Sequence, residues 1–369
     1  MKHLLFSLFF LYLYSCRTIP ISFQTYSIPT KDPSNIRVLL LKTSEDIELK
    51  SGGKIQVFDA NGEFLKSTAE TLVIKGTQLL SPVMIQFESN QFTLKSVQYR
   101  GTIRIIPKET AVFVVNVLPI EEYLASVVPS EMSPSWPMDA LKAQAVCART
   151  FAIKEKISKS NDLFDVVATT NSQAYKGMSV EHQRTNQAIQ ETKGQILTYK
   201  SEPIQSFFHA NSGGFTEDSE SVWGRSLPYL KPVASPYCKE DSGYAWKKFY
   251  SFESLSLAFQ KLGLGEISEL EILNRTQSNR IESVRLVGTE KSVQLSGNEF
   301  RKMLGFTSLP SLRFAVTKLE NGFEMKGFGK GHGVGLSQWG SMGMAKEQYT
   351  YKEILAHYFK DVSFANVIY

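Results

Sequence analysis

From residue 36 onward the chain alternates short apolar runs with turn-forming residues. Residues 38–41 (VLLL), 47–49 (IEL), 55–58 (IQVF), 71–74 (TLVI) and 83–87 (VMIQF) read as strands, with turn signals at Gly52-Gly53, Asn61-Gly62 and Ser89-Asn90. Residues 99–106 (YRGTIRII) and 112–117 (VFVVNV) predict a further hairpin leading into the next unit. The period then changes. Residues 121–128 (EEYLASVV) predict a short helix with acids in its first turn and Pro129 as its stop. A second helix is expected from Pro137, at its first position, to about Lys156. Leu141, Ala145, Ala148 and Ala152 mark one face of it, and Lys142 and Arg149 share another. Residues 202–239 read as a strand followed by a long loop, and residues 250–325 alternate helix and strand signals, one helix ending at Gly305. Residues 351–359 read as a closing helix, and there is no internal repeat. The sum is an α+β protein, a β-rich N-terminal module over 36–98 preceding a mixed α+β domain over 99–369.

Composition changes this picture little. At 369 residues, 42% hydrophobic and 21% charged, the chain has ample material for a core and the balance of a soluble protein. A net charge of +5 is mild, and no basic helix carries interleaved aromatics, so nucleic-acid binding has no support. The N-terminus is more informative. A short positive start, an apolar run over 4–14 and Ser15-Cys16 give the layout of a signal peptide over 1–16, too short to span a bilayer permanently. The ending LYSC is similar to a bacterial lipobox, so export to the periplasm or cell envelope is expected, with a lipid anchor through Cys16 and a Pro/Ser/Thr-rich tether over 17–35. Plain secretion is the alternative. Of the three cysteines, Cys147 and Cys238 then remain, open to pairing in an oxidising compartment or to burial as free thiols. No spacing suggests a metal or another cofactor.

The densest chemistry lies in residues 327–340 (GFGKGHGVGLSQWG), where six glycines surround His332 and lead into Ser337, Gln338 and Trp339. Glycine is costly to order, so such a run implies a tight loop lining a cleft, with an aromatic plate for a flat or sugar-like ligand. Glu131 is the first candidate for an acid. It lies in the break between the two helices, bracketed by Pro129 and Pro134 and followed by Met132 and Trp136, an apolar setting that would raise a carboxyl pKa. His209 and His332 both occupy Gly-rich loops, and Glu217 follows the segment holding Ser212 and Gly213, where it offers a second carboxylate. Ser212 is in no nucleophile elbow, and the glycine loop lacks a Lys-Ser/Thr ending, which argues against a serine hydrolase and a nucleotide site.

Separated blocks together carry a resemblance. They are residues 114–132 (VVNVLPIEEYLASVVPSEM), 140–152 (ALKAQAVCARTFA), 208–224 (FHANSGGFTEDSESVWG) with 227–237 (LPYLKPVASPY), and 327–345 (GFGKGHGVGLSQWGSMGMA) with 354–359 (ILAHYF). Over residues 99–369 the chain resembles the sporulation stage II protein D / amidase-enhancer family of bacterial cell-wall proteins. The resemblance implies a lytic transglycosylase acting on peptidoglycan glycan strands, which cuts the β-1,4 bond between N-acetylmuramic acid and N-acetylglucosamine and leaves a 1,6-anhydro ring. It places the catalytic glutamate at Glu131 and substrate contacts at Lys142, Gln144 and Arg149. It lines the same cleft with the blocks holding Ser212, Gly213, His332 and Gly333.

One carboxyl suffices for such a reaction. It protonates the leaving oxygen and then, as a base, takes the proton from the sugar's own C6 hydroxyl, whereas ordinary glycosidases need two carboxylates. Arg149 or His332 is expected to stabilise charge or orient an acetamido group, and Trp223 and Trp339 to supply stacking plates. Some relatives carry a Cys/His zinc site ahead of a Gln-x-Tyr pair. Here Asn171 and Ser172 stand in that place, so no metal is expected, while Gln173 and Tyr175 remain for substrate. The main rival is a non-catalytic glycan-binding protein that stimulates or recruits a wall amidase. Hydrolysis by water, with Glu217 as second carboxylate, is a third reading.

Overall fold

A computed structural model describes residues 24–30 and 32–369. The signal-peptide and lipobox readings, with Cys16, lie outside the described residues. Nine strands form the largest sheet, in the order 166–167, 35–43, 111–119, 102–108, 83–87, 47–58, 91–94 and 97–100, with 64–74 pairing 47–58 at one side. The ladders are antiparallel except at Val166–Val167, which runs parallel to Asn35–Thr43. Alternate residues Ile36, Val38, Ile47, Leu49, Ile55, Val57, Ile85, Ile103 and Ile105 turn inward and are buried, as a sheet with one covered face requires. Two helices provide cover, α1 (Ile120–Glu131) and α2 (Met138–Ser158), whose Tyr123, Leu124, Val127, Ala145, Ala148 and Ala152 join the same core. The division placed after residue 98 runs through the strand Val97–Arg100, and the β-rich part shares its core with both helices.

Two local expectations are corrected. Gly52 and Gly53 do not turn the chain. They sit inside the single strand Ile47–Phe58, where the register slips between Lys50 and Lys54 as at a bulge, a place glycine suits. Pro129 does not stop α1, which continues to Glu131. The missing proline N–H falls in the last turn, and the helix closes around it with Ser130 Oγ donating to the Ser126 carbonyl (2.8 Å) and Met132 N–H donating to Val128 (2.9 Å). Glu131 is therefore the last residue of a helix rather than part of a free break.

α2 is buried on nearly every side, not along one stripe. Its second face packs with Met132, Leu336, Tyr358 and Phe359 in another core, which also takes α3 (Gln183–Glu191) through Ala188. The short α4 (Ser219–Trp223) follows the Ser-Gly-Gly loop. Residues 245–328 then build two three-stranded sheets, 245–251/322–328/314–319 and 267–275/281–288/292–296. With α5 (Phe252–Ala258) and α6 (Gly297–Leu304), they surround a core of their own made by Phe259, Phe300, Leu286 and Phe323. α6 opens on a Ser296/Glu299 capping box and ends at Gly305. α7 (Gln338–Lys346) and α8 (Tyr351–Tyr358) follow. A closing strand, Ser363–Ile368, that the sequence pattern did not announce pairs with Gln195–Tyr199 and Gln24–Ser27. Among the described residues Cys147 and Cys238 are buried and unpaired, their thiols donating to the Ser206 and Ser235 carbonyls. Among the described residues no helix is long and apolar enough to cross a membrane.

Candidate active site

Two segments far apart in sequence meet through a short parallel ladder, Phe208 against Leu336 and His209 against Ser337. Asn211 bridges Lys330 beside it. The Ser-Gly-Gly loop and the Gly-His-Gly loop thus form one patch. Close approach explains two of the glycines. A Cβ on Gly213 (φ +69°) would sit 2.9 Å from the Phe328 carbonyl, and one on Gly333 (φ +88°) 2.5 Å from the Arg280 guanidinium. Buried Ser337 caps α7, its Oγ accepting from Gly340 N–H and from Ser212 N–H (3.2 Å each). The cap fixes the first helical residue, Gln338.

Gln338 reaches Glu131. Its Nε2 donates to Glu131 Oε2 (3.3 Å), while Ala174 N–H donates to Oε1 (2.9 Å). Glu131 is part-buried beside fully packed Met132. Desolvation raises its carboxyl pKa above the ordinary value, against the opposing pull of these two donors and the Lys176 charge. The group is held in one orientation by neutral donors and is biased toward its protonated form, the arrangement of a general acid. Close to Gln338, Trp339 pairs with Trp136 at 4.9 Å between ring centroids. Trp223, nearly half exposed, packs on Phe207 (4.4 Å) and His332 (5.1 Å).

The two histidines are neutral imidazoles. Burial, then the charges of Arg301 and Arg280, lower His332 to about 4, and its Nδ1 accepts from Val334 N–H (3.0 Å). Burial and the neighbouring His332 and Arg280 push His209 well below its usual value. His209 Nδ1 lies 3.1 Å from the Val334 carbonyl, the geometry of a donor, which leaves Nε2 as a bare acceptor, buried and without a partner among the described residues. Neither ring carries a charge to stabilise at neutral pH.

Several expected substrate contacts have other work. Arg149 is fully buried. It makes a two-pronged pair with Glu121 (2.8 and 2.9 Å) and donates to the Gln195 and Ile189 carbonyls, so its charge is spent inside the fold. Gln173 is buried between the Tyr123 hydroxyl and the Ala148 carbonyl, and Tyr175 donates to Asn116 Oδ1 (2.8 Å) beneath the site. Lys142 pairs with Glu191 of α3 at 2.5 Å. Gln144 is fully buried, and neither amide atom has a partner among the described residues. Glu217 is buried too. Its Oε2 accepts from Thr276 (2.6 Å) and Ser278 (2.7 Å) and its Oε1 from Asp218 N–H, so it offers no free second carboxylate. Sequence reasoning missed the Ala174 amide and the Trp136 ring. A backbone donor leaves no residue signature, and in the sequence Trp136 reads only as an apolar neighbour of Glu131. Among the described residues no cluster of His, Cys, Asp and Glu could hold a metal.

A model described as stage II sporulation protein matches residues 108–199, and one of a domain of unknown function matches residues 237–335. The chain is 34% identical to stage II sporulation protein D of Bacillus subtilis over 263 residues, 66% of this chain and 73% of that protein. An uncharacterised protein of Brachyspira hyodysenteriae is 34% identical over 350 residues, 91% of this chain and 94% of the other. The amidase enhancer of Bacillus subtilis is 27% identical over 369 residues and is half covered by the match. The first family model takes in Glu131, Arg149 and Gln173, and the named relatives match 66% and 86% of the chain, so the chain belongs to the stage II sporulation protein D / amidase-enhancer family.

Proposed function

We propose that this protein cleaves peptidoglycan glycan strands as a lytic transglycosylase, with Glu131 as the single acid and base. The observation that carries the reading is the state of Glu131, a partly desolvated carboxyl with a raised pKa, aimed by Ala174 and Gln338. Protonated, it gives its proton to the glycosidic oxygen as the bond to the anomeric carbon breaks. Ionised, it takes the proton of the muramyl C6 hydroxyl, whose oxygen closes the 1,6-anhydro ring, and the carboxyl is restored. The engagement of Glu217 favours this one-carboxylate route over attack by water. Trp223, with its exposed face, and Trp339, paired with Trp136, are the proposed plates for the sugar rings. Family membership supports a cell-wall-associated function, and export with a Cys16 anchor is proposed with it.

The test is digestion of purified sacculi, intact and stripped of stem peptides, with the mature protein and mass spectrometry of the products. Anhydro-muramyl ends support the reading, and reducing ends point to a hydrolase. A relative named amidase enhancer supports a second reading, in which the same site binds glycan without cutting it and assists an amidase. Retained binding with no cleavage would select that one.

A further inference from the structure

Residues 245–328 could be a passenger, since they have their own core and their own sheets. Their contacts say otherwise. The turn between strands Ile267–Arg275 and Ile281–Gly288 projects Arg280 under the glycine loops, where it is 2% exposed. Its Nη2 donates to the Ser212 carbonyl (2.7 Å), and its Nη1 donates to the Phe215 carbonyl (2.9 Å) and Ser278 Oγ. Its flat face lies so close to Gly333 that no Cβ would fit between them. A second arginine of the unit, Arg313, donates to the Gly213 carbonyl. The same turn holds Glu217 through Thr276 and Ser278, and Glu217 N–H in turn donates to the Gly333 carbonyl (2.8 Å). Both loops are thus gripped from below by one hairpin.

The grip continues to the acid. The peptide of Ser212 has its carbonyl on Arg280, and the N–H of the same residue donates to Ser337 Oγ. Ser337 caps α7, and the next residue is the Gln338 that donates to Glu131. We propose that Arg280 is a positioning residue of the site: by holding the Ser212 backbone it fixes Ser337 and so sets the Gln338 amide against the Glu131 carboxyl. The inserted unit is then a working part of the site. This rests on the reading of Glu131 as the acid. An independent observation supports it. Arg280 Nε is buried without a partner among the described residues, and burial lowers the group to about 10, so the guanidinium is an expensive choice where an apolar side chain of like size would pack. Lysine could not replace it, because a point charge does not span two carbonyls held by a fork.

The experiment follows the titration of Glu131 by carbon-13 NMR of glutamate-labelled protein, the signal assigned by its loss in Glu131→Gln. The other groups acting on this carboxyl are Lys176 and the buried Tyr123 hydroxyl, and both are left in place. Gln338→Leu removes a donor to the ionised form and is expected to raise the midpoint by about half a pKa unit. Arg280→Lys is expected to raise it in the same direction, and the double variant to go no further than Gln338→Leu alone. A folded Arg280→Lys protein with the wild-type midpoint overturns the proposal, as does a double variant in which the two shifts add. Should Arg280→Lys not fold, Ser337→Ala cuts the same path one link later and is read by the same two criteria. The readout needs no turnover. Failure of the sacculus digestion would therefore strike the acid assignment alone, and an unmoved midpoint would strike Arg280 alone.

Discussion

Glu131 accepts a hydrogen bond from Gln338, a residue 207 positions further along the chain. The acid ends one helix and its partner begins another. A helix start is a rigid place for a side chain when its cap is buried, as Ser337 is. Glu131→Gln keeps the shape and removes the titrating proton. The expected outcome is a loss of glycan cleavage of about 10²- to 10⁴-fold or more, with unchanged circular dichroism and retained binding to peptide-free glycan, measured by product mass spectrometry and co-sedimentation.

The same substitution has a pH signature in stability. Glu131's folded pKa is raised, chiefly by desolvation. Such a group favours the folded state below its unfolded pKa, and that contribution is lost as pH rises through the folded value. Above that window the wild type carries a partly desolvated charge that Gln lacks. Thermal unfolding is expected to show the Tm of Glu131→Gln gaining on the wild type as pH rises from about 4 to 7. A gap that stays constant across this range would contradict the raised pKa.

Arg149→Met tests the inward role of that arginine. Removing one partner of a buried ion pair leaves the other uncompensated, and Glu121 is only 20% exposed. About 3 kcal/mol of stability should be lost, read from urea unfolding, while the KM for glycan in the surviving folded fraction stays at the wild-type value. Burial alone would raise the Glu121 carboxyl. The Arg149 charge and hydrogen bonds from Arg149, Tyr369 and Gly194 outweigh it and hold the group below its usual range. Its contribution is present above the unfolded pKa and lost as pH falls through the lower folded one. The wild type should weaken in acid below about pH 4, where Arg149→Met should change less.

Gly333→Ala should be far worse than Gly62→Ala. Both positions have positive φ, +88° and +87°, but a Cβ at Gly62 meets nothing within 4 Å and one at Gly333 meets the Arg280 guanidinium at 2.5 Å. The backbone term alone costs about 1 kcal/mol. The excess at Gly333, expected to bring its total to about 3 kcal/mol, isolates the close approach and is read from the two Tm values.

Asn171 and Ser172 stand where some relatives are expected to carry a Cys/His metal site, and Ser172 Oγ accepts from Val167 N–H (3.2 Å). Dialysis against a strong chelator is expected to leave both cleavage and Tm unchanged.

How far the sequence reveals the protein depends on the range of the interaction. Pro137 and Asp139 at the start of α2, Gly305 after α6 and the alternating apolar residues around Ile103 and Ile105 act locally, and the elements they predict are present. Pro129 misled because its cost depends on which turn it occupies, a matter of a few residues that the pattern does not resolve. Arg149 shows a different limit. A basic residue at helical spacing looks available until the partner, Glu121 on another helix, is known to face it. The glycine loops were legible as a dense, costly run. What makes them costly to alter gives no local sign: Arg280, which crowds Gly333, lies in a distant turn, and the Phe328 carbonyl of one loop crowds Gly213 of the other, 115 positions away.

The two loops are separated in the chain by the whole inserted unit, yet pair strand to strand at Phe208 and Leu336. During synthesis the first loop must therefore wait until the last has left the ribosome. Joining ends so far apart is entropically unfavourable for an open chain, and a folded insert shortens the gap that has to close. Assembly of this patch should be the late event of folding, trailing the nine-stranded sheet. The contact that sets Gln338 against Glu131 is then among the last parts of the molecule to be completed.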